Sequence, residues 1–175
     1  MKSILIIVAL ILSISKVVAQ EESTHHKESE SKNVIALFVG STHIVQSGIN
    51  MPTFGLEYAR RIFKNFAVGG IIEYEAGQHI IIKNGHSHDE EIEITRKNSL
   101  LIIPTVYYSI HHLVVFTLGY GIELEEEENL GLLKVGVGVE LELKNPSWIF
   151  YPNVSWDHTS HFDGIVYGFS LGYAF

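Results

Sequence analysis

The sequence predicts an all-β protein: an eight-stranded, antiparallel, up-and-down transmembrane β-barrel following a cleaved signal peptide. Three observations predict it. Apolar residues alternate with small or charged ones at period two along most of the chain beyond residue 32. The alternating segments are about ten residues long, enough for a tilted strand to cross a bilayer. The segments between them alternate between tight and long. Composition agrees, with 175 residues, 46% hydrophobic and 18% charged, and no cysteine. That length suits one domain. Zero cysteine excludes a disulfide scaffold, a thiol nucleophile and a Cys-based zinc site. A formal charge of −8 argues against a nucleic-acid surface, which needs clustered Lys and Arg.

The N-terminus has the form of an export signal. Lys2 supplies positive charge, Ile4–Ile14 an apolar core, and Val17-Val18-Ala19 a small-residue cleavage site, giving a signal peptide over residues 1–19. The apolar run is too short to span a bilayer as a helix. Residues 20–32 (QEESTHHKESESK) contain nothing apolar and are expected to form a flexible periplasmic tail. The barrel is assigned to residues 33–175.

Within it the strands are expected at 33–42, 53–62, 65–76, 99–110, 114–124, 133–143, 147–157 and 163–175. The last is the clearest. Ile165, Tyr167, Phe169, Leu171, Tyr173 and Phe175 alternate with Gly164, Val166, Gly168, Ser170, Gly172 and Ala174, so one face is large and greasy and the other nearly bare. In 114–124 the apolar set is Val114, Phe116, Leu118, Tyr120, Ile122 and Leu124. In 133–143 it is Leu133, Val135, Val137, Val139, Leu141 and Leu143. Pro104 and Pro152 fall inside strands, where a missing N–H removes a ladder bond, so bulges or displaced strand ends are expected there. The connections Arg60–Asn65, Ser109–His112 and Lys144–Ser147 are tight. His43–Met51, Gly77–Asn98, Glu125–Asn129 and His158–Phe162 are longer or more charged. Within Gly77–Asn98, Asn84-Gly85 signals a turn between alternating flanks, predicting a hairpin that continues above the membrane.

The chain resembles the small eight-stranded outer-membrane β-barrels of Gram-negative bacteria. Phe175, preceded at alternate positions by Tyr173, Leu171, Phe169 and Tyr167, matches the terminal strand that such barrels present to the barrel-assembly machinery. The signal peptide ending in Ala-Gln and the run Tyr58–Phe66 are similar to small barrels of Bacteroidota. The resemblance implies a monomer in outer-membrane lipid, with both termini periplasmic and the long loops outside. It carries little about activity, because the fold hosts adhesins, structural proteins and lipid-modifying enzymes.

With the apolar parity toward lipid, Glu57, Arg61, Glu73, Glu75, Glu123, Lys134, Glu140 and Glu142 are expected to face inward. An eight-stranded barrel has room for side chains and none for an aqueous channel. Six acids against two bases would be costly if all were ionised and dry, so some must be wet, shared or protonated. An ion-paired structural plug is one reading, and a proton or cation path the other. A soluble lipocalin-like barrel would invert the pattern, with the apolar set inside.

Histidine is abundant, 10 in 175 residues. His86 and His88, beside Asp89 near the hairpin tip, have a spacing that suits Zn²⁺, Cu²⁺ or Ni²⁺. Asp157, His158, His161 and Asp163 form a second candidate group. Solvated loops without metal are the competing reading. The resulting expectation is a non-catalytic envelope or surface protein whose outer loops bind a ligand, with a divalent metal as candidate. The alternative is a hydrolase resembling lipid A deacylases, whose His-x-Ser pair is matched by His158-Thr159-Ser160, with Asp157 or Asp163 to orient the histidine.

Overall fold

The structure, a computed structural model, describes residues 32–77, 79–84, 91–96, 98–110, 113–125 and 129–175. The predicted signal peptide and all but the last residue of the predicted tail lie outside them. In chain order the strands are β1 (Asn33–Ile44), β2 (Ile49–Phe63), β3 (Phe66–Glu75), β4 (His79–Asn84), β5 (Glu91–Arg96), β6 (Ser99–Ile110), β7 (Val114–Leu124), β8 (Asn129–Val139), β9 (Leu141–Glu142), β10 (Trp148–Thr159) and β11 (Asp163–Ala174).

Eight of them close a ring in the order β11-β1-β2-β3-β6-β7-β8-β10, and β10 pairs back onto β11. Every neighbouring pair is antiparallel. Closure leaves no unpaired edge, the condition for a sheet to sit in hydrocarbon. The two ends of the barrel meet at the terminal side, where the Asn33 and Phe175 backbones exchange hydrogen bonds of 3.1 and 2.9 Å.

The period-two pattern sorts onto the two faces as the greasy and bare sets require. Outward stand Leu37, Phe54, Leu56, Phe116, Leu118, Tyr120, Phe169 and Leu171. The inversion relative to a water-soluble protein is plain in two side chains: Tyr120 is 71% exposed, whereas Lys134 is 2% exposed. Such an exterior is satisfied by hydrocarbon, and an apolar band of this kind is what outer-membrane barrels present to lipid. A lipocalin-like interior is thereby excluded. Aromatic residues mark both margins of the band, with Trp156, Tyr167 and Tyr74 toward the loop end and Trp148, Tyr173 and Tyr58 toward the terminal end.

The bare face is bare because the lumen is narrow. Gly40 and Gly168 oppose each other across β1 and β11, and the Phe38 ring lies over both, in the space a Cβ would take. Tyr151 covers Gly138 in the same way. Two apolar clusters fill further layers: Ile44, Met51, Leu130 and Phe162 close the loop end, and Ile71, Leu101, Ile103 and Leu132 pack below them.

Both prolines that fall inside strands are accommodated without a bulge. Pro104 pairs with Gly70 on β3, while the β6–β7 ladder is interrupted opposite it and resumes in the same register. Pro152 pairs with Phe169 on β11, while its β8 side is interrupted at Val139 and Glu140 and resumes in register as β9. Each missing N–H faces one neighbour only, so one ladder opens and the other holds. This gap is why the predicted strand 133–143 is divided. The register shift that does occur lies between Arg61 and Phe63 of β2.

The predicted long connection His43–Met51 is instead a four-residue turn, 45–48, because β1 and β2 run to Ile44 and Ile49. Gly48 closes it at φ 69°, in the left-handed region, with its N–H donating to Ile44 O at 2.8 Å. The hairpin expected within Gly77–Asn98 is present. β4 and β5 form their own two-stranded sheet, with His79 opposite Arg96 and Asn84 opposite Glu91. Its base is fastened where the Gly77 N–H donates to Asn98 Oδ1 at 2.9 Å.

Candidate functional site

Two parts of the barrel concentrate polar chemistry: the lumen and the rim at the loop end. In the lumen, inward parity on β3, β8 and β10 brings Glu73, Lys134 and Asp157 together. Lys134 Nζ lies 3.0 Å from Glu73 Oε2 and 2.9 Å from Asp157 Oδ2, and donates to Ser155 Oγ at 3.2 Å. Toward the loop end, Glu75 accepts from Thr42 Oγ1 at 2.7 Å and from Ser99 Oγ at 3.4 Å. Thr42 and Thr53 share a further hydroxyl bond of 2.7 Å. Glu123 is fully buried on the same inward face of β7. Toward the terminal end, Ser170 Oγ donates to Glu57 Oε1 at 2.6 Å. Arg61 and Glu140 line the opening there together.

Glu57, Glu73, Glu75 and Asp157 thus each have a hydroxyl or ammonium donor, the condition for holding charge in a dry interior. Glu142, expected in this set, is exposed. The β8–β9 interruption at Pro152 ends the continuous wall before it, and β9 runs out at the terminal rim. Asp157 departs the other way. Assigned with the loop histidines, it faces inward, because β10 continues to Thr159 and parity turns the side chain toward Lys134.

At the loop-end rim the side chains face outward. His158 Nδ1 lies 2.8 Å from Asp163 Oδ1, which also accepts from Trp156 Nε1 at 3.1 Å. Gln46 donates to Asp163 Oδ2 at 3.2 Å and accepts the Asp163 N–H at 3.0 Å. The Trp156 and His158 rings stack at 5.2 Å. His43, at the end of β1 rather than in a loop, lies 3.0 Å from Asn50 Oδ1. This knot ties the β1–β2 turn to the start of β11. His161 sits in the β10–β11 turn, where its backbone N–H donates to Thr159 Oγ1 at 3.2 Å.

The rim therefore separates the second predicted metal group: Asp157 is inside, and His158 is committed to Asp163. Among the described residues no cluster of three or more His, Asp or Glu could hold a metal ion. His86, His88 and Asp89 lie outside the described residues. For the hydrolase alternative, Asp163 rather than Asp157 orients His158, and Ser160 is exposed in the turn that follows.

No protein family and no curated protein matches the chain. Solved structures do. Ail, the attachment invasion locus protein of Yersinia pestis, aligns with a TM-score of 0.57 at 14% identity, covering 83% of this chain and 99% of that one. Neisserial surface protein A aligns with a TM-score of 0.57 at 9% identity, covering 82% and 97%. The N-terminal barrel domain of Pseudomonas aeruginosa OprF gives 0.50 at 8% identity, covering 83% and 100%. At such identities the likeness is one of fold. The chain is an eight-stranded antiparallel barrel of the outer-membrane class.

Proposed function

We propose that this chain is a non-catalytic surface protein of the bacterial outer membrane, a rigid barrel that presents its outer loops to a ligand. One observation carries the reading: the exterior is matched to lipid while side chains block the interior at the loop end and the layers below it. That leaves the β4–β5 hairpin and the neighbouring turns as the parts available for recognition outside the membrane. Barrels of this size hold side chains rather than a channel, which supports a presenting role over a conducting one. The likeness to Ail and to Neisserial surface protein A supports the same coarse role. One Ail structure contains the heparin analogue sucrose octasulfate. A chain of net charge −8 gives no reason to transfer a polyanion to this protein.

Treating intact cells with protease tests the reading. Cleavage confined to 77–98, leaving a protected barrel fragment, is the expected result. A chain that is untouched until the outer membrane is breached would remove the surface role. The finer proposal places a divalent cation at His86, His88 and Asp89. Titration of the refolded protein with Zn²⁺, Cu²⁺ and Ni²⁺ should show micromolar binding, about −8 kcal/mol, lost in His86→Ala/His88→Ala. No heat in the parent protein would return these residues to ordinary loop chemistry.

A further inference from the structure

The lumen is not packed evenly. Toward the terminal end it opens into a cavity of about 100 Å³. By comparison with the engineered cavities of about 150 Å³ that take up benzene, this is room for roughly four heavy atoms, and the open mouth admits the end of a slightly longer chain. Its walls are short and apolar, chiefly Ala36, Ala59, Val115 and Ile149. Its inner end is polar. There Glu57 receives one hydrogen bond, from Ser170 Oγ at 2.6 Å. The only buried ammonium in the described lumen, Lys134, is in direct contact with Glu73 and Asp157 instead.

A second observation points to a missing occupant. Tyr107 lines the same cavity and is 8% exposed, yet its Oη has no hydrogen-bond partner. Thr105 lies beside it without hydrogen-bond geometry. Tyr151 Oη, on the facing wall, is in the same condition with respect to Thr117. Buried hydroxyls left without partners are uncommon and ask for a ligand or water. At the mouth Arg61 faces Glu140, and the exposed Lys32 adds one positive charge there, so the negative end of the cavity is the inner one, at Glu57.

A carboxylate at the inner end, two tyrosine rings with free hydroxyls and a short apolar wall together describe a receptor for a small cation with a hydrocarbon part. The rings add cation–π attraction, and an anion of equal size would meet Glu57 head-on. We propose that this cavity binds a small primary alkylammonium from the terminal side of the barrel, its ammonium group on Glu57 and its alkyl chain along Ala59 and Ile149.

The test is titration of the full mature chain, folded in detergent micelles, with butylammonium, butanol and butyrate. Binding of butylammonium at least about tenfold tighter than of either neutral or anionic analogue is expected. Glu57→Gln should remove that preference, and Ala59→Leu, which fills the cavity wall, should abolish binding altogether. Should Glu57→Gln fail to fold, as judged by heat-dependent gel mobility, Ala59→Leu still decides. Absence of butylammonium binding, equal binding of butyrate, or binding unaffected by Ala59→Leu would each overturn the proposal. None of these results bears on whether the outer loops bind a ligand.

Discussion

Lys134 is the residue on which the interior turns. Its ammonium group lies within 3.0 Å of both Glu73 and Asp157 in a site almost closed to water. Removing one member of a buried charge group leaves the others uncompensated, at a cost of about 3–5 kcal/mol. Lys134→Met should therefore lower the urea midpoint of the refolded barrel strongly, followed by the fluorescence of its 2 tryptophans. Combining it with Glu73→Gln and Asp157→Asn should restore much of the loss. A triple variant no better than the single one would refute the pairing. Glycine supplies a second contrast. A Cβ at Gly40 would enter the space of the Phe38 ring and the Tyr167 carbonyl, whereas at Gly131 the nearest atom is the Tyr120 hydroxyl at 3.1 Å. Gly40→Ala should destabilise by about 1–3 kcal/mol, the usual cost of overpacking, and Gly131→Ala much less, by the same unfolding assay.

At this scale the sequence was legible by parity and obscure by neighbourhood. Glu57, Glu73, Glu75, Glu123 and Lys134 sit on the inward parity of long, regular strands, so period two alone places them. Asp157 has the same parity as Ser155 and Thr159, a signal that was available. Its adjacency to His158 groups it with the loop histidines, because the end of β10 carries no Gly or Pro to mark that the strand runs on to Thr159. The pairing of Lys134 with Asp157 across β8 and β10 is set by register, which no local pattern contains.

Among elements, the β4–β5 hairpin is the separable one. It pairs with itself and joins none of the barrel strands. Replacing 78–97 by a short turn should leave heat-dependent gel mobility and urea midpoint close to those of the parent, while abolishing protease cleavage on intact cells. A deletion that prevents folding would show the hairpin to be part of the barrel. The hairpin was legible because Asn84-Gly85 separates two alternating runs. The four-residue turn 45–48 was not, since His43, Asn50 and Met51 look like loop residues until Asn50 is seen bonded to His43 across the strands. The prolines are legible as obstacles, but the expected bulges or displaced strand ends are replaced by a one-sided gap in the ladder. Their effect depends on which neighbour the missing N–H faces, a property of pairing rather than of sequence.

For the whole molecule, the exterior band and the interior blocked at its loop end make one statement: this is a cylinder soluble in hydrocarbon with no open path through it. Reconstituted into planar bilayers, it should show no ion conductance above the lipid background. Sustained channels would contradict the packed lumen. The inside–outside assignment is open to a more direct measurement, since the chain contains no cysteine of its own. Single cysteines at 114–124 and 165–174, labelled with a fluorophore in the liposome-reconstituted protein, report each position in turn. Quenching by a nitroxide held in the lipid chains should alternate with period two, strong at Phe116, Leu118, Phe169 and Leu171 and weak at Thr117, Gly119, Ser170 and Gly172. Uniform quenching, no quenching, or the opposite phase would contradict a barrel that turns its apolar face to lipid.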